Sequence, residues 1–146
     1  MKSNVLKAYL FLLMILPCVA LAEKPGTLDE VFSAVRFENG SLVVVNKKDG
    51  VEFTGRIGGA SDEMKLAPGD RAELPEGQLS FFYVGEQGVS FVPLRQGRGF
   101  LVRKMYDDRA KGGGLRAIEF ELVIADNGTL AFGTAKPVKE NGPTAY

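Results

Sequence analysis

Histidine is missing from all 146 residues, and cysteine occurs once. Without histidine, Ser-His-Asp and Cys-His nucleophilic catalysis are excluded, and so are ordinary zinc and copper sites, whose ligands are His and Cys. The one cysteine, Cys18, lies in the N-terminal apolar segment. No D-x-D-x-D loop offers a calcium site. Paired carboxylates leave a glycosidase formally open, but a small domain without long insertions rarely builds the cleft it needs. The expectation is a protein that is not an enzyme and uses no metal and no cofactor.

The N-terminus reads as a leader. Lys2 and Lys7 make a basic start, Ala8 to Leu16 is apolar, Pro17 breaks the helix, and Ala20-Leu21-Ala22 is a small-x-small cleavage pattern. This is a secretory signal peptide over residues 1–22, and its apolar run is too short for a stable membrane anchor. A lipoprotein signal needs a small residue just before its cysteine, and Pro17 stands there instead, so lipidation is not expected. Cleavage after Ala22 leaves a chain from Glu23 with no cysteine, in a compartment where disulfides would form. That favours a bacterial periplasm or cell exterior over a eukaryotic secretory path.

Beyond the leader, turn signals come at short intervals and predict an all-β fold. Strands are expected at Val31–Glu38, Leu42–Val45, Val51–Ile57, Met64–Leu66, Ala72–Leu74, Leu79–Val84, Val89–Leu94, Phe100–Tyr106, Ile118–Ile124 and Leu130–Phe132. Leu42–Val45 is β-branched enough to be buried on both faces. Leu28, Val31, Phe32 and Val35 also fit helical spacing, which leaves a helix open there. Asn39-Gly40 and Asn127-Gly128 are hairpin turn signals and, as sequons, glycan acceptors in a eukaryotic path. About seven to nine such short strands describe a small antiparallel β-sandwich or barrel. We place the sandwich at residues 23–134 and a flexible tail at 135–146. The expected core is Phe37, Val44, Phe53, Leu66, Phe81, Phe91, Val102, Ile118, Phe120, Leu122 and Ile124.

Charge is unevenly spread. Glu23–Leu94 carries seven Lys/Arg against twelve Asp/Glu, whereas Arg95–Arg116 carries seven basic residues against Asp107 and Asp108. The basic segment is either a binding face for an anionic or carboxylate-bearing partner or a solvated outer face. The chain after the leader is slightly acidic and holds no nucleic-acid motif, so no nucleic-acid partner is expected. In Phe81-Phe82-Tyr83, alternation turns Phe82 away from its neighbours. Phe81 or Phe82 suits the core, and Tyr83, with its hydroxyl, suits a contact.

Two stretches resemble the periplasmic inhibitors of invertebrate-type and goose-type lysozymes. In Val51–Leu74, the residues Gly55, Ile57, Gly59, Leu66, Gly69 and Asp70 match a "Gly-x-Ile-x-Gly" strand followed by a Gly-Asp turn. In Gly99–Ile124, Met105, Arg109, Ala110, Lys111, Gly112, Phe120, Leu122 and Ile124 match the family's closing hairpin. The resemblance implies a secreted β-sandwich, similar to the bacterial pre-peptidase C-terminal domain, that inserts a loop into a muramidase cleft. The family's Ser-Gly-x-x-Tyr inhibitory segment has no counterpart here, and Tyr83–Ser90 is the nearest piece.

The contact surface is accordingly expected on the loops Tyr83–Ser90 and Tyr106–Gly114 beside the basic segment. The candidate residues are Tyr83, Glu86, Gln87, Ser90, Arg98, Tyr106, Arg109 and Lys111. The alternative for Arg109 is a structural pair with Asp107 or Glu121. The alternative function is a module that binds envelope carbohydrate or anionic polymer.

Overall fold

The computed structural model describes residues 26–107 and 109–138. The leader 1–22 with Cys18, the expected terminus at Glu23, Asp108 and the tail from residue 139 lie outside the described residues.

The fold is all-β, with one helical turn, α1 (Gly26–Asp29), ahead of the first strand. The strands are β1 (Phe32–Glu38), β2 (Ser41–Asn46), β3 (Phe53–Arg56), β4 (Met64–Leu66), β5 (Arg71–Pro75) and β6 (Ser80–Val84). They continue with β7 (Gln87–Pro93), β8 (Gly99–Asp107), β9 (Leu115–Ile124), β10 (Leu130–Phe132) and β11 (Lys136–Pro137). Among the described residues eleven strands form, against the seven to nine counted for the sandwich: the ten stretches expected above each hold one, and the addition is β11, which pairs with β9 within the segment expected to be a tail.

All pairings are antiparallel and form two sheets. The small sheet runs β1-β2-β5, and the large one runs β10-β9-β8-β7-β6-β3-β4. No helix among the described residues is long and apolar enough to cross a membrane.

Local chemistry sets the register. Asn39 (φ 53) and Gly40 (φ 80) both take positive φ, the type I′ pattern, and set Glu38 opposite Ser41 across the first hairpin. Asn127 Oδ1 accepts from the Thr129 amide in the turn before β10. Both asparagines thus serve their turns.

The helical spacing seen in Leu28, Val31, Phe32 and Val35 has a different origin. Leu28 belongs to α1, and a register shift between Phe32 and Ala34 adds one residue to β1. The bulge changes which parity faces inward, so Phe32, Val35 and Phe37 share the inner side. A helical turn followed by a bulged strand mimics the helical period.

The inner faces meet through aromatic rings. Phe32 of the small sheet sits edge-on to Phe82 at 6.1 Å and lies 6.2 Å from Phe91, which is edge-on to Phe100 at 6.0 Å. All four are essentially buried. Gly55 makes room for this arrangement: a Cβ there would stand 2.4 Å from Phe82 Cδ1. On the outer face of the small sheet, Val43 is also fully buried, flanked in register by Arg36 and Glu73. Above it, Glu38 takes Arg36 at 2.7 Å and Arg71 at 3.3 Å, and Arg71 holds Glu73 at 3.0 Å.

Three expected core residues need correction. Phe81 is half-buried on the outer face, stacked on Tyr83 at 6.1 Å, because register puts Phe82 opposite Val89 on the inner side. Phe37 is half-buried because β1 is an edge strand; the Arg98 guanidinium lies over its ring at 5.4 Å. Ile118 is half-buried near the start of β9, opposite Lys104, where the inner face stops being apolar. The other eight are buried.

Truncating Phe32 to Ala should lower unfolding free energy in urea by about 3–5 kcal/mol, as for large core deletions. Phe81→Ala should cost less than about 1.5 kcal/mol, because its ring keeps solvent on one side. Equal losses would contradict the assignment of faces.

Candidate functional site

The inner row of β8 begins with Phe100 and Val102, both fully buried, and continues with Lys104 and Tyr106. The inner row of β2 does the same, with Leu42 and Val44 followed by Asn46. Both sheets thus turn from apolar to polar at one end of the sandwich, and a cleft of ≈ 630 Å³ opens there. Its apolar wall includes Val31, Phe53 and Val84, and its polar lining includes Glu30, Asn46, Gln87, Lys104, Tyr106 and Arg116.

Asn46 is fully buried. Its Nδ2 donates to the carbonyls of Val51 at 2.8 Å and Leu66 at 3.1 Å, which fixes the amide. Its Oδ1 is buried and accepts no hydrogen bond among the described residues. Lys104 is only 7% exposed; its Nζ donates to the Met105 carbonyl at 3.0 Å and lies 4.1 Å from the Tyr106 ring centre. The Arg116 guanidinium lies 4.2 Å from the same centre. An electron-rich ring stabilises cations so placed. Tyr106 donates its hydroxyl proton to Glu30 Oε1 at 3.1 Å, tying the segment before β1 to β8.

The rim above the cleft joins two loops that are distant in sequence. Gly85 and Glu86 form the turn between β6 and β7, and a 3₁₀ turn (Arg109–Lys111) begins the connection between β8 and β9. Arg109 forms an ion pair with Glu86 and donates from Nε and Nη2 to Asp107, at 2.8 Å each. These carboxylates hold the guanidinium pKa well above its ordinary value, Asp107 contributing most. Arg109 in turn lowers Asp107 through side-chain and backbone hydrogen bonds. The structural pairing considered for Arg109 is thus made with Asp107, while Glu121 takes no part in it; Glu86 is the addition.

The eight expected contact residues divide. Glu86 and Arg109 form the rim, Gln87 and Tyr106 line the cleft, and Lys111 is the last residue of the 3₁₀ turn, which the Gly112 amide closes onto the Arg109 carbonyl. Tyr83 lies next to the rim on the outer face, donating to Glu63; that bond raises the phenol pKa. Two residues are elsewhere. Ser90 is mid-strand on the outer face, opposite Phe81 and Arg103. Arg98 sits at the other end of the sandwich, where it grips Glu76 with Nε at 2.7 Å and Nη2 at 3.0 Å. A forked Arg–carboxylate pair over an aromatic ring closes that end.

Asn46, Lys104, Arg116 and Glu30 were not among the candidates. A signal existed for two of them: Asn46 ends an apolar run, and Lys104 falls in the inward parity of β8. Among the described residues, no group of three His, Cys, Asp or Glu side chains could hold a metal. No family model matches the chain, and neither does any curated protein or solved structure.

The ion pairs make acid stability testable. Asp107 and Glu76 lie below their ordinary values of 3.8 and 4.5 in the folded protein, each held down by an arginine. A depressed folded pKa stabilises above the unfolded value and loses that contribution as pH falls through the folded one. The melting temperature should therefore drop as pH falls from about 5 to about 2, with a shallower drop in Asp107→Asn and Glu76→Gln. An unchanged pH slope in both variants would contradict the pairings.

Proposed function

We propose that this chain is a secreted, non-catalytic binding protein of the bacterial periplasm or exterior whose partner is a lysozyme-type muramidase. Support for the reading comes from the ion pair between Arg109 and Glu86, 23 residues apart, which draws the two expected contact loops into one rim. Both loops were expected at the contact surface on shared grounds, their place beside the basic segment and their glycines, and their meeting makes one continuous epitope. The Arg109 side chain is 55% exposed although it holds two carboxylates.

Glycosidase clefts carry two carboxylates about the scissile bond. An arginine fork matches a carboxylate in shape and charge, and a guanidinium already ordered by neighbours loses less rotamer freedom on docking. Arg109 would enter the cleft as the cation, with Tyr83 and Gln87 as flanking contacts. Sugar access would then be blocked without any chemistry by the inhibitor, in keeping with a chain that has no histidine.

The test is a muramidase assay against goose-type and invertebrate-type enzymes, using protein exported from cells that express the full chain. Inhibition is expected, and Arg109→Ala should weaken it by about 10- to 100-fold, the effect of removing a central interface arginine, with folding unchanged. Full activity of both enzymes at high protein concentration would contradict the proposal, above all if the protein bound anionic envelope polymer instead.

A further inference from the structure

The two described Asn-Gly turns have nearly the same local sequence, Glu38-Asn39-Gly40-Ser41 and Asp126-Asn127-Gly128-Thr129, in two different settings. We propose that Asn39 is a site of spontaneous deamidation, converted by solvent water to aspartate and isoaspartate, and that the fold protects Asn127 from the same reaction. The inference does not rest on the muramidase reading, because the Asn39 turn lies at the end of β1 opposite the Phe32–Asn46 pair, where the cleft opens.

The chemistry needs only the chain and water. The backbone nitrogen of the following residue, losing its proton, attacks Cγ of the asparagine. The new N–Cγ bond closes a succinimide ring, and the side-chain nitrogen leaves as ammonia. Water then adds to one of the two ring carbonyls. Breaking the N–Cγ bond gives aspartate. Breaking the bond from that nitrogen to the original backbone carbonyl gives isoaspartate, in which the main chain runs through the side chain. Glycine suits the attacking position because it has no side chain to shield its nitrogen.

Two groups must therefore be able to meet, the asparagine side-chain amide and the glycine nitrogen. In the first hairpin both are unengaged. Asn39 is exposed, its side-chain amide makes no hydrogen bond among the described residues, and neither does the Gly40 amide. A Cβ on Gly40 would meet nothing within 4 Å, so the space beside it is open. The rotation that brings the two groups together opens only the tip of a hairpin whose β1 is a sheet edge.

In the second turn both groups are engaged. Asn127 Oδ1 accepts from the Thr129 amide at 3.0 Å, and the Gly128 amide donates to the Ala125 carbonyl at 2.8 Å. The Ala125 amide donates to the Thr129 carbonyl, also at 2.8 Å, and closes the turn. Attack at Asn127 has first to break the bonds that hold electrophile and nucleophile in place.

The products differ in what they do to the hairpin. Isoaspartate adds one carbon to the main chain of a two-residue turn whose length sets Glu38 opposite Ser41. Turn length fixes register, so the longer link loosens the pairing of β1 with β2. Aspartate adds a charge beside Glu38 and leaves the main chain unchanged.

The experiment ages the exported protein in mildly alkaline buffer, with and without urea, and follows each Asn-Gly pair by peptide mapping with an isoaspartate assay. The third pair, Asn141-Gly142, lies outside the described residues and is read as a separate peptide. In native buffer Asn39 should convert at least ~10-fold faster than Asn127, the factor expected when hydrogen bonds must break before attack. In urea the two rates should come within about 3-fold of each other, because the local sequences are alike and unfolding removes the hydrogen bonds. Asn39→Gly, which keeps a residue suited to positive φ, should abolish the early product. The isoaspartate fraction should melt below the Asn39→Asp variant, which carries the charge without the added carbon. Equal native rates would overturn the proposal, as would a native difference that persists in urea. A melting temperature matching that of Asn39→Asp would overturn the consequence for the hairpin.

Discussion

Phe32 is the point on which both sheets rest. It stands edge-on to Phe82 and tilted against Phe91, so one ring from the small sheet sets the spacing to two strands of the large one. Aromatic pairs in these orientations add to area burial a preference for a defined geometry. Phe32 is paired in register with Asn46, which places it at the boundary between apolar core and polar cleft. The ring that closes the core is thus paired with a residue that lines the cleft.

The cleft follows from where the two inner rows change character. A sandwich that stayed apolar along β2 and β8 would close at this end as it does at the other. There, Arg98 caps Phe37 and grips Glu76. Instead Asn46 and Lys104 succeed Val44 and Val102, and a closed interior becomes a lined pocket. The Tyr106–Glu30 hydrogen bond and the Arg109–Glu86 pair then tie the surrounding segments to the strands. Exposed ion pairs of this kind add little to stability. Their importance lies in holding a shape.

Most strand positions were legible in the sequence, because alternation and Gly-containing turns are local signals. Val43 illustrates this: the β-branched run around it pointed to burial on both faces, and it is buried beneath the Arg36–Glu38–Arg71–Glu73 network. What escaped depended on pairing across the fold. Phe81 and Phe82 differ only in parity, and the register of β6 against β7 decides between them. The bulge in β1 produced a helical period from a strand. Arg98 read as part of a basic contact segment, yet its partner Glu76 is 22 residues upstream at the opposite end. The cleft escaped for the same reason, since its polar residues come from separate strands and gather only when the sheets meet.

This end of the sandwich is built into the protein on its own, with the cleft lined by strands that also carry the core. Backbone order parameters of the ligand-free protein at Gly50, Gln87, Lys104, Tyr106 and Arg116 test it most directly. Values near about 0.85, equal to those of the core strands, are predicted. Values below about 0.6 at these residues, with the rest of the sheets rigid, would contradict it and make the site a product of binding.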